Sequence, residues 1–173
     1  MQLGREWIEN HIPHRYEMCL LDSVVAWDDE SIHCEASSHR QPSNPLRAHG
    51  RLAAVCAIEY AAQTMAVHGS LLARQTPGHA AASQGFLTGI RGVRLFIERL
   101  DTVTAKLDCK ATRITGDSFG ILYTFEVSAH GSVLAVGRAT VILNASKIDA
   151  ADSAFLNFYV ATDTASSSEG EST

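Results

Sequence analysis

This sequence has little positive charge, few cysteines and no long apolar run, and each shortage excludes a class of protein. The 173 residues carry 14 Lys and Arg against 19 Asp and Glu, without a basic stripe, which argues against a nucleic-acid partner. The 4 cysteines form no C-x-x-C pair and match no zinc spacing, so we expect buried thiols and no metal site. No stretch reaches the ~18 apolar residues of a membrane span, and the first residues have no secretory apolar core. We therefore expect a cytoplasmic protein.

Several motifs of familiar enzymes are also missing. The chain has no G-x-S-x-G string, which argues against a serine hydrolase of that type. It has no H-E-x-x-H pair and no phosphate-binding glycine loop. We therefore expect neither a metal nor another cofactor.

One stretch, residues 51–74, organises the rest of the chain. It is rich in Ala, Leu and Met and has no Pro, which predicts a helix, and it is apolar almost all round, which is typical of a helix inside a fold. Glu59 lies near its middle, and Gln63 follows one turn later on the same face. Burial raises the pKa of a carboxyl group, so we expect Glu59 either to be neutralised by a partner or to hold a proton for chemistry.

The remaining segments predict strands. A short helix at 4–11 is followed by a hairpin, 19–27 with 31–37. Four alternating segments after the long helix, separated by turn residues, predict an antiparallel meander: 84–97, 101–114, 119–129 and 133–143. The order predicts an α+β domain over 1–144, in which about six antiparallel strands wrap one long helix. The acidic, Ser-rich end of the extension 145–173 predicts disorder.

Three local strings, in the same order as in a known family, carry a resemblance. Residues 12–26 read IPHRYEMCLLDSVVA, residues 58–63 read IEYAAQ and residues 86–94 read FLTGIRGVR. Together they resemble the hotdog-fold β-hydroxyacyl thioester dehydratases of fatty-acid synthesis. The string GRLAAVCAIEYAAQ at 50–63 is most similar to the small dehydratase-like proteins of aryl-polyene type gene clusters. The resemblance implies a hotdog fold and dehydration of a 3-hydroxyacyl group, carried on acyl carrier protein or coenzyme A.

Dehydration needs an acid, a base and a group that stabilises the enolate oxygen. Glu59 suits the acid. In these dehydratases a Gly-His-Phe-Pro string before the helix carries the catalytic His, and here a shorter loop offers His49 as the base. His39 is a second candidate in that loop, while His14 is interpreted as structural. The predicted oxyanion and substrate-binding residues lie at the helix start and along its face: Gly50, Ala54, Val55 and Gln63.

Spacing adds a constraint on how the site is assembled. His49 and Glu59 are ten residues apart, which is about 15 Å along a helix. We therefore expect two chains to share each site, as in the hotdog family, in a homodimer or a hotdog heterodimer. Two alternatives remain open: a hotdog acyl thioesterase, in which Glu59 activates water, and a half-catalytic subunit that needs a hotdog partner.

Overall fold

The structure, a computed structural model, describes residues 3–75, 85–116 and 120–142, and within them it has one antiparallel sheet and one long helix. The sheet has seven strands in the order β1-β2-β3-β5-β6-β7-β4. The strands are β1 (Leu3–Gly4), β2 (Ser23–Trp27), β3 (Ser31–Ala36), β4 (Phe86–Leu95), β5 (Leu107–Gly116), β6 (Gly120–Ala129) and β7 (Ser132–Ile142). The helices are α1 (Arg5–His11) and α2 (Ala57–Gln75). The predicted hotdog architecture is confirmed, and the seventh strand is the two-residue β1.

The C-terminal meander forms where alternation predicted it. The predicted strand over 101–114 begins later, at Leu107, because Leu100–Thr102 forms a tight 3-10 turn. The strands β6 and β7 meet at a two-residue turn in which His130 and Gly131 both have positive φ, 50° and 75°, as a type I′ hairpin requires. The starts predicted at 84 and 119 and the extension 145–173 lie outside the described residues.

The long helix begins later than the apolar run suggests. Residues 51–53 are extended, and Ala53 forms an isolated bridge with Arg99. A 3-10 turn over Ala54–Cys56 then leads into α2. The predicted start at residue 51 is therefore wrong, because backbone pairing with a distant segment holds residues that have helical propensity in an extended form. The helix continues one residue beyond the predicted end, to Gln75.

The core lies between α2 and the sheet, mainly against β3, β5 and β6. One of its buried polar residues is His68, which is fully buried. The Nε2–H of His68 donates to the carbonyl of Asp28 at 2.8 Å, so Nδ1 accepts from the hydroxyl of Tyr123 at 3.0 Å. Burial lowers the pKa of His68, and the neutral imidazole satisfies both partners.

The last strand in the sheet order, β4, has no neighbouring strand on its outer side among the residues that the structure describes. Most of its residues are exposed. Five large apolar side chains on it and directly after it reach solvent: Phe86, Leu87, Ile90, Leu95 and Phe96. An exposed, apolar edge strand of ten residues is unusual in a protein that works as a single chain.

Candidate functional site

The candidate site is built around the carboxylate of Glu59, in the first turn of α2. Its side chain is 32% exposed, so it lies at the rim of the core rather than inside it. Oε1 accepts two hydrogen bonds, from Nε2 of His14 at 3.2 Å and from Nε2 of Gln63 at 3.0 Å. Among the described residues no hydrogen bond reaches Oε2, which is not buried. The structure thus holds one carboxylate oxygen and leaves the other available.

Gln63 holds this arrangement together. Its side chain is fully buried, and one turn of helix separates it from Glu59. Oε1 of Gln63 accepts from the amide of Leu20 at 2.9 Å, and Nε2 donates to the carbonyl of Met18 at 2.8 Å as well as to Glu59. Both hydrogens of its amide group are therefore in use. In this structure Gln63 positions the carboxylate, and the substrate-binding role given to it from sequence stays a prediction.

The pKa of Glu59 is lowered from its ordinary value, which in the single chain favours the first of the two sequence-based alternatives, a carboxylate with partners, over a carboxyl group that holds a proton. Burial acts to raise the pKa, but the hydrogen bonds from His14 and Gln63 and the nearby charge of His14 outweigh it. In the single chain Glu59 is therefore ionised at neutral pH. A carboxylate in this state is suited to accepting a proton at Oε2 rather than donating one.

His14 joins the site although the sequence suggested only a structural role. Since a carboxylate oxygen only accepts, the ring carries its proton on Nε2. Its Nδ1 is buried and has no partner among the described residues. His14 and Glu59 are 45 residues apart in sequence, so no periodicity could have paired them. The signal that was available is the IPHRY string, which places His14 in a segment shared with the dehydratases.

His49 lies at the tip of a tight turn and is exposed. The turn is closed by two hydrogen bonds between Ala48 and Arg51, of 2.9 and 3.0 Å, and φ is 51° at His49 and 73° at Gly50. Glycine adopts this conformation without strain, and a non-glycine residue does so at a cost. No hydrogen bond joins His49 to Glu59 in the described part of the chain. The structure therefore does not bring the predicted acid and base together within one chain.

The backbone amides before α2 are partly committed already. The amide of Leu52 donates to Oδ1 of Asp101 at 3.0 Å, and the amide of Ala54 donates to the carbonyl of Glu98 at 2.9 Å. The predicted oxyanion role of Ala54 is thus not available in this conformation. Val55 lies in the first turn, where amides have no partner within the helix, and its side chain is exposed. Among the predicted amide donors, Val55 is therefore the best candidate for stabilising the oxyanion, and that role stays a prediction.

A buried polar network ties the loop before α2 to the site. The hydroxyl of Tyr60 lies 2.9 Å from the hydroxyl of Ser38 and accepts from Nδ2 of Asn44 at 3.0 Å. The hydroxyl of Ser38 donates to the carbonyl of Leu20 at 2.7 Å. Because the amide of Leu20 is held by Gln63, the loop, the helix and the segment after His14 share one set of hydrogen bonds.

Charged groups fix the second half of the same loop. Arg47 donates to the carbonyls of Gln41 and Gly50 and lies 3.6 Å from the carboxylate of Asp101. Asp101 also pairs with Arg99, which strongly lowers the pKa of that carboxyl. His39, the second candidate base, is fully buried, and Nε2 donates to the carbonyl of Val103. Burial lowers its pKa, so His39 belongs to the scaffold of the loop.

No group of three or more metal-ligating side chains occurs within residues 3–75, 85–116 and 120–142. In the same ranges, no helix is both long and apolar enough to cross a membrane. All four cysteines are free, and three of them are buried. Burial raises the pKa of Cys34 to about 12, so this thiol stays protonated at neutral pH.

Comparison with solved structures shows the same fold in other proteins. The dehydratase heterocomplex ApeI:P from Xenorhabdus doucetiae matches with a TM-score of 0.71 and 24% identity, over 80% of this chain and 91% of that one. A thioesterase from Haemophilus influenzae matches with a TM-score of 0.51 and 13% identity, over 69% of this chain and 76% of that one. A thioesterase mutant from Pseudomonas aeruginosa matches with a TM-score of 0.50 and 14% identity, over 69% of this chain and 78% of that one. No curated protein sequence matches the chain.

The family comparison goes further than the fold. The model of the ApeP-like family, described as ApeP dehydratase, matches residues 6–153. That range contains the whole described site, from His14 through Glu59 to Asp101. The chain therefore belongs to the ApeP-like family of dehydratases.

Proposed function

We propose that this chain removes water from 3-hydroxyacyl thioesters in a polyene-type biosynthesis, with Glu59 as the group that accepts the substrate proton. The observation that carries the proposal is the Glu59 carboxylate, held at Oε1 by His14 and Gln63 and open at Oε2. A thioester needs a base at its α-carbon, and an ionised, oriented carboxylate supplies one. The family description supports loss of water as the outcome.

The reaction balances as an elimination. Oε2 of Glu59 takes the α-proton, the electron pair of that C–H bond forms the C=C bond, and the C–O bond at the 3-position breaks. The leaving hydroxyl takes up a proton and departs as water. While the α-proton is removed, negative charge grows on the thioester oxygen, and an amide of the first turn of the helix, such as that of Val55, suits its stabilisation.

Within the described site of one chain, no group is placed to donate the proton that the leaving hydroxyl needs. His49 is the sequence-derived partner of Glu59, and it lies on an exposed turn. We infer that the second group comes from another hotdog chain, either a second copy or a related subunit. The exposed edge strand β4 supports association, because it is last in the sheet order of the described residues and carries exposed apolar side chains.

A second chain that covers the site would also raise the pKa of Glu59. Burial is the largest influence on its pKa and acts upward, while His14 and Gln63 hold the pKa down. Further desolvation by a partner adds to the upward influence. The carboxyl group of Glu59 can then act as a base while it is ionised and as an acid once burial by the partner has made it hold a proton. The acid role predicted from sequence stays a prediction for the assembled protein.

The second candidate function is thioester hydrolysis. The observation that favours it is again the open Oε2 of an ionised Glu59, since such a group can also act as a general base on water. The two structural matches to thioesterases share the fold, and at 13% and 14% identity they carry nothing more. The products separate the two functions, because dehydration leaves the acyl group on its carrier and hydrolysis releases a free acid.

The test is mass spectrometry of a 3-hydroxyacyl group on acyl carrier protein and on coenzyme A, after incubation with the protein. We expect loss of one water from the bound acyl group. Glu59→Gln keeps the size of the side chain and should lower the rate about 10²-fold or more with folding retained. Unchanged turnover in the Glu59→Gln variant would refute the assignment.

The same assay addresses His49 with a matched control. His130 has the same setting as His49, an exposed histidine at positive φ followed by a glycine in a two-residue turn. If this chain supplies both groups in a homodimer, His49→Ala should lower the rate about 10²-fold, while His130→Ala leaves it unchanged. If a different hotdog subunit supplies the second group, His49→Ala should behave like His130→Ala in the mixed assembly.

A further inference from the structure

The segment between His14 and Leu20 carries two exposed side chains that the chemistry above does not use. Tyr16 is 79% exposed and Met18 is 37% exposed. Both are large and mostly apolar, and neither contributes to the core. Single exposed apolar residues are ordinary on a protein surface, so exposure alone assigns no role to them.

The backbone of Tyr16 supplies a second observation. Its φ is 53°, in the left-handed region that an aromatic residue rarely adopts. Two hydrogen bonds to the carbonyl of Tyr16 hold this conformation. Nη2 of Arg5 donates to that carbonyl at 2.8 Å, and the amide of Cys19 donates to it at 3.0 Å. The fold therefore maintains a strained backbone here, and the result is a ring presented to solvent. Strain maintained in this way is characteristic of functional sites.

The position of the segment supplies the third observation. His14 binds Glu59 directly, and the carbonyl of Met18 is bound by Gln63. Tyr16 is two residues from each, a chain distance of at most about 7 Å. Its ring is thus attached to a segment that is fixed at one end to Glu59, through the side chain of His14, and at the other end to Gln63, through the carbonyl of Met18.

We propose that Tyr16, with Met18 beside it, receives the acyl chain of the substrate and sets the preference for chain length. The inference rests on the proposed function, because it places the α-carbon of a 3-hydroxyacyl thioester at Oε2 of Glu59. Beyond the 3-position such a substrate is purely apolar and gains by leaving water. An aromatic ring offers a large apolar surface with little conformational entropy to lose on binding. Tyr16 acts here as a specificity-determining residue and takes no part in proton transfer.

The kinetic test compares 3-hydroxybutyryl and 3-hydroxydecanoyl pantetheine thioesters. Tyr16→Ala should raise KM for the decanoyl substrate about tenfold, change KM for the butyryl substrate less than about threefold, and leave kcat nearly unchanged, as expected for lost ground-state binding. Tyr16→Phe keeps the ring and should behave like the unchanged protein. His130→Ala, which also truncates an exposed side chain at positive φ, is the matched control and should have no effect.

A binding test separates this inference from the proposed function. Decyl- and butyl-pantetheine thioethers can neither lose water nor be hydrolysed, and calorimetry gives their affinities directly. Tyr16→Ala should weaken the decyl compound about tenfold and the butyl compound little. If it does so while no 3-hydroxyacyl thioester is dehydrated, the inference holds and the proposed function fails. Equal weakening of both compounds, unchanged binding of the decyl compound, or dissociation of an oligomer by Tyr16→Ala would each overturn the inference.

Discussion

Replacing Gln63 by Leu tests whether the carboxylate is positioned as the structure indicates. The substitution keeps a side chain of similar size in a fully buried place and removes three hydrogen bonds at once. These bonds join Gln63 to the amide of Leu20, to the carbonyl of Met18 and to Glu59. We expect the protein to fold, with a less stable native state and a Glu59 whose pKa is closer to its ordinary value.

The magnitude follows from the partners left behind. Leu20 is fully buried, so its unpaired amide costs about 2 kcal/mol. Met18 is partly exposed, and water can replace part of the lost bond to its carbonyl, so that loss is about 1 kcal/mol. The loss at Glu59 is smaller, because its side chain is partly exposed and keeps the bond from His14. Burying Leu in place of an amide offsets part of the total, which leaves a destabilisation of about 3 kcal/mol.

Urea unfolding measures this loss, and a pH–rate profile measures the effect on Glu59. A destabilisation of 3 kcal/mol in a domain of this size corresponds to roughly 6–12 °C in Tm. Because Gln63 holds the pKa of Glu59 down, the acid limb of the rate profile should move to higher pH in the variant. Gln75→Leu, at the exposed end of the same helix, is the control and should change stability by less than about 0.5 kcal/mol. A variant at Gln63 with unchanged stability and an unchanged profile would refute the reasoning.

Two further predictions concern association and pH. Ile90→Lys places a charge on the exposed edge strand β4, and light scattering should show that the oligomer dissociates. The control Val25→Lys, on β2, should leave the oligomer intact. If the unchanged protein is already a monomer, the prediction of association through β4 is refuted. The pKa of His68 is lowered by burial, so its contribution to stability is complete above its ordinary pKa of 6.5 and is lost as pH falls from there through the folded pKa. His68→Gln keeps a donor for Asp28 and an acceptor for Tyr123, and should flatten the fall in the urea midpoint between about pH 7 and 5; an equally steep fall would show that His68 is not responsible.

Much of the fold could be predicted from the sequence because its elements have strong local patterns. The later strands alternate cleanly, and the Ala-rich run of α2 has no competing strand pattern, so the type and order of these elements were predicted correctly. The observed β5 and α2 each begin later than predicted, at Leu107 and Ala57. The error at the start of α2 has a nonlocal cause. Residues 51–53 are extended because the amide of Ala54 and the carbonyl of Leu52 pair with the segment at 98–100. No window of sequence contains both partners of such a bridge.

The site could be predicted only in part, for a similar reason. Glu59 and Gln63 were singled out because a carboxylate on a mostly apolar helix is unusual, and the two side chains do lie on one helix face, joined by a hydrogen bond. The sequence could not decide between a partnered carboxylate and one that holds a proton, since the burial of Glu59 could be inferred from the sequence and the opposing hydrogen bond from His14 could not. His14 reaches Glu59 only after the chain has folded back over α2. The predicted roles in catalysis or binding remain predictions for the experiments above, and they concern Glu59, His49, Gly50, Ala54, Val55 and Gln63.

The hydrogen bonds of Leu20 have a consequence for how the site is lost. Its amide is bound by a helix residue, Gln63, and its carbonyl by a loop residue, Ser38. A fluctuation that opens the loop therefore breaks a contact of the same residue whose amide is bound by Gln63, which supports the carboxylate. We expect the amide of Leu20 to exchange its hydrogen with solvent only in the largest openings of the native state, together with amides in the centre of α2. Loop, helix and carboxylate then form one cooperative unit, so partial unfolding abolishes the site in a single step rather than gradually.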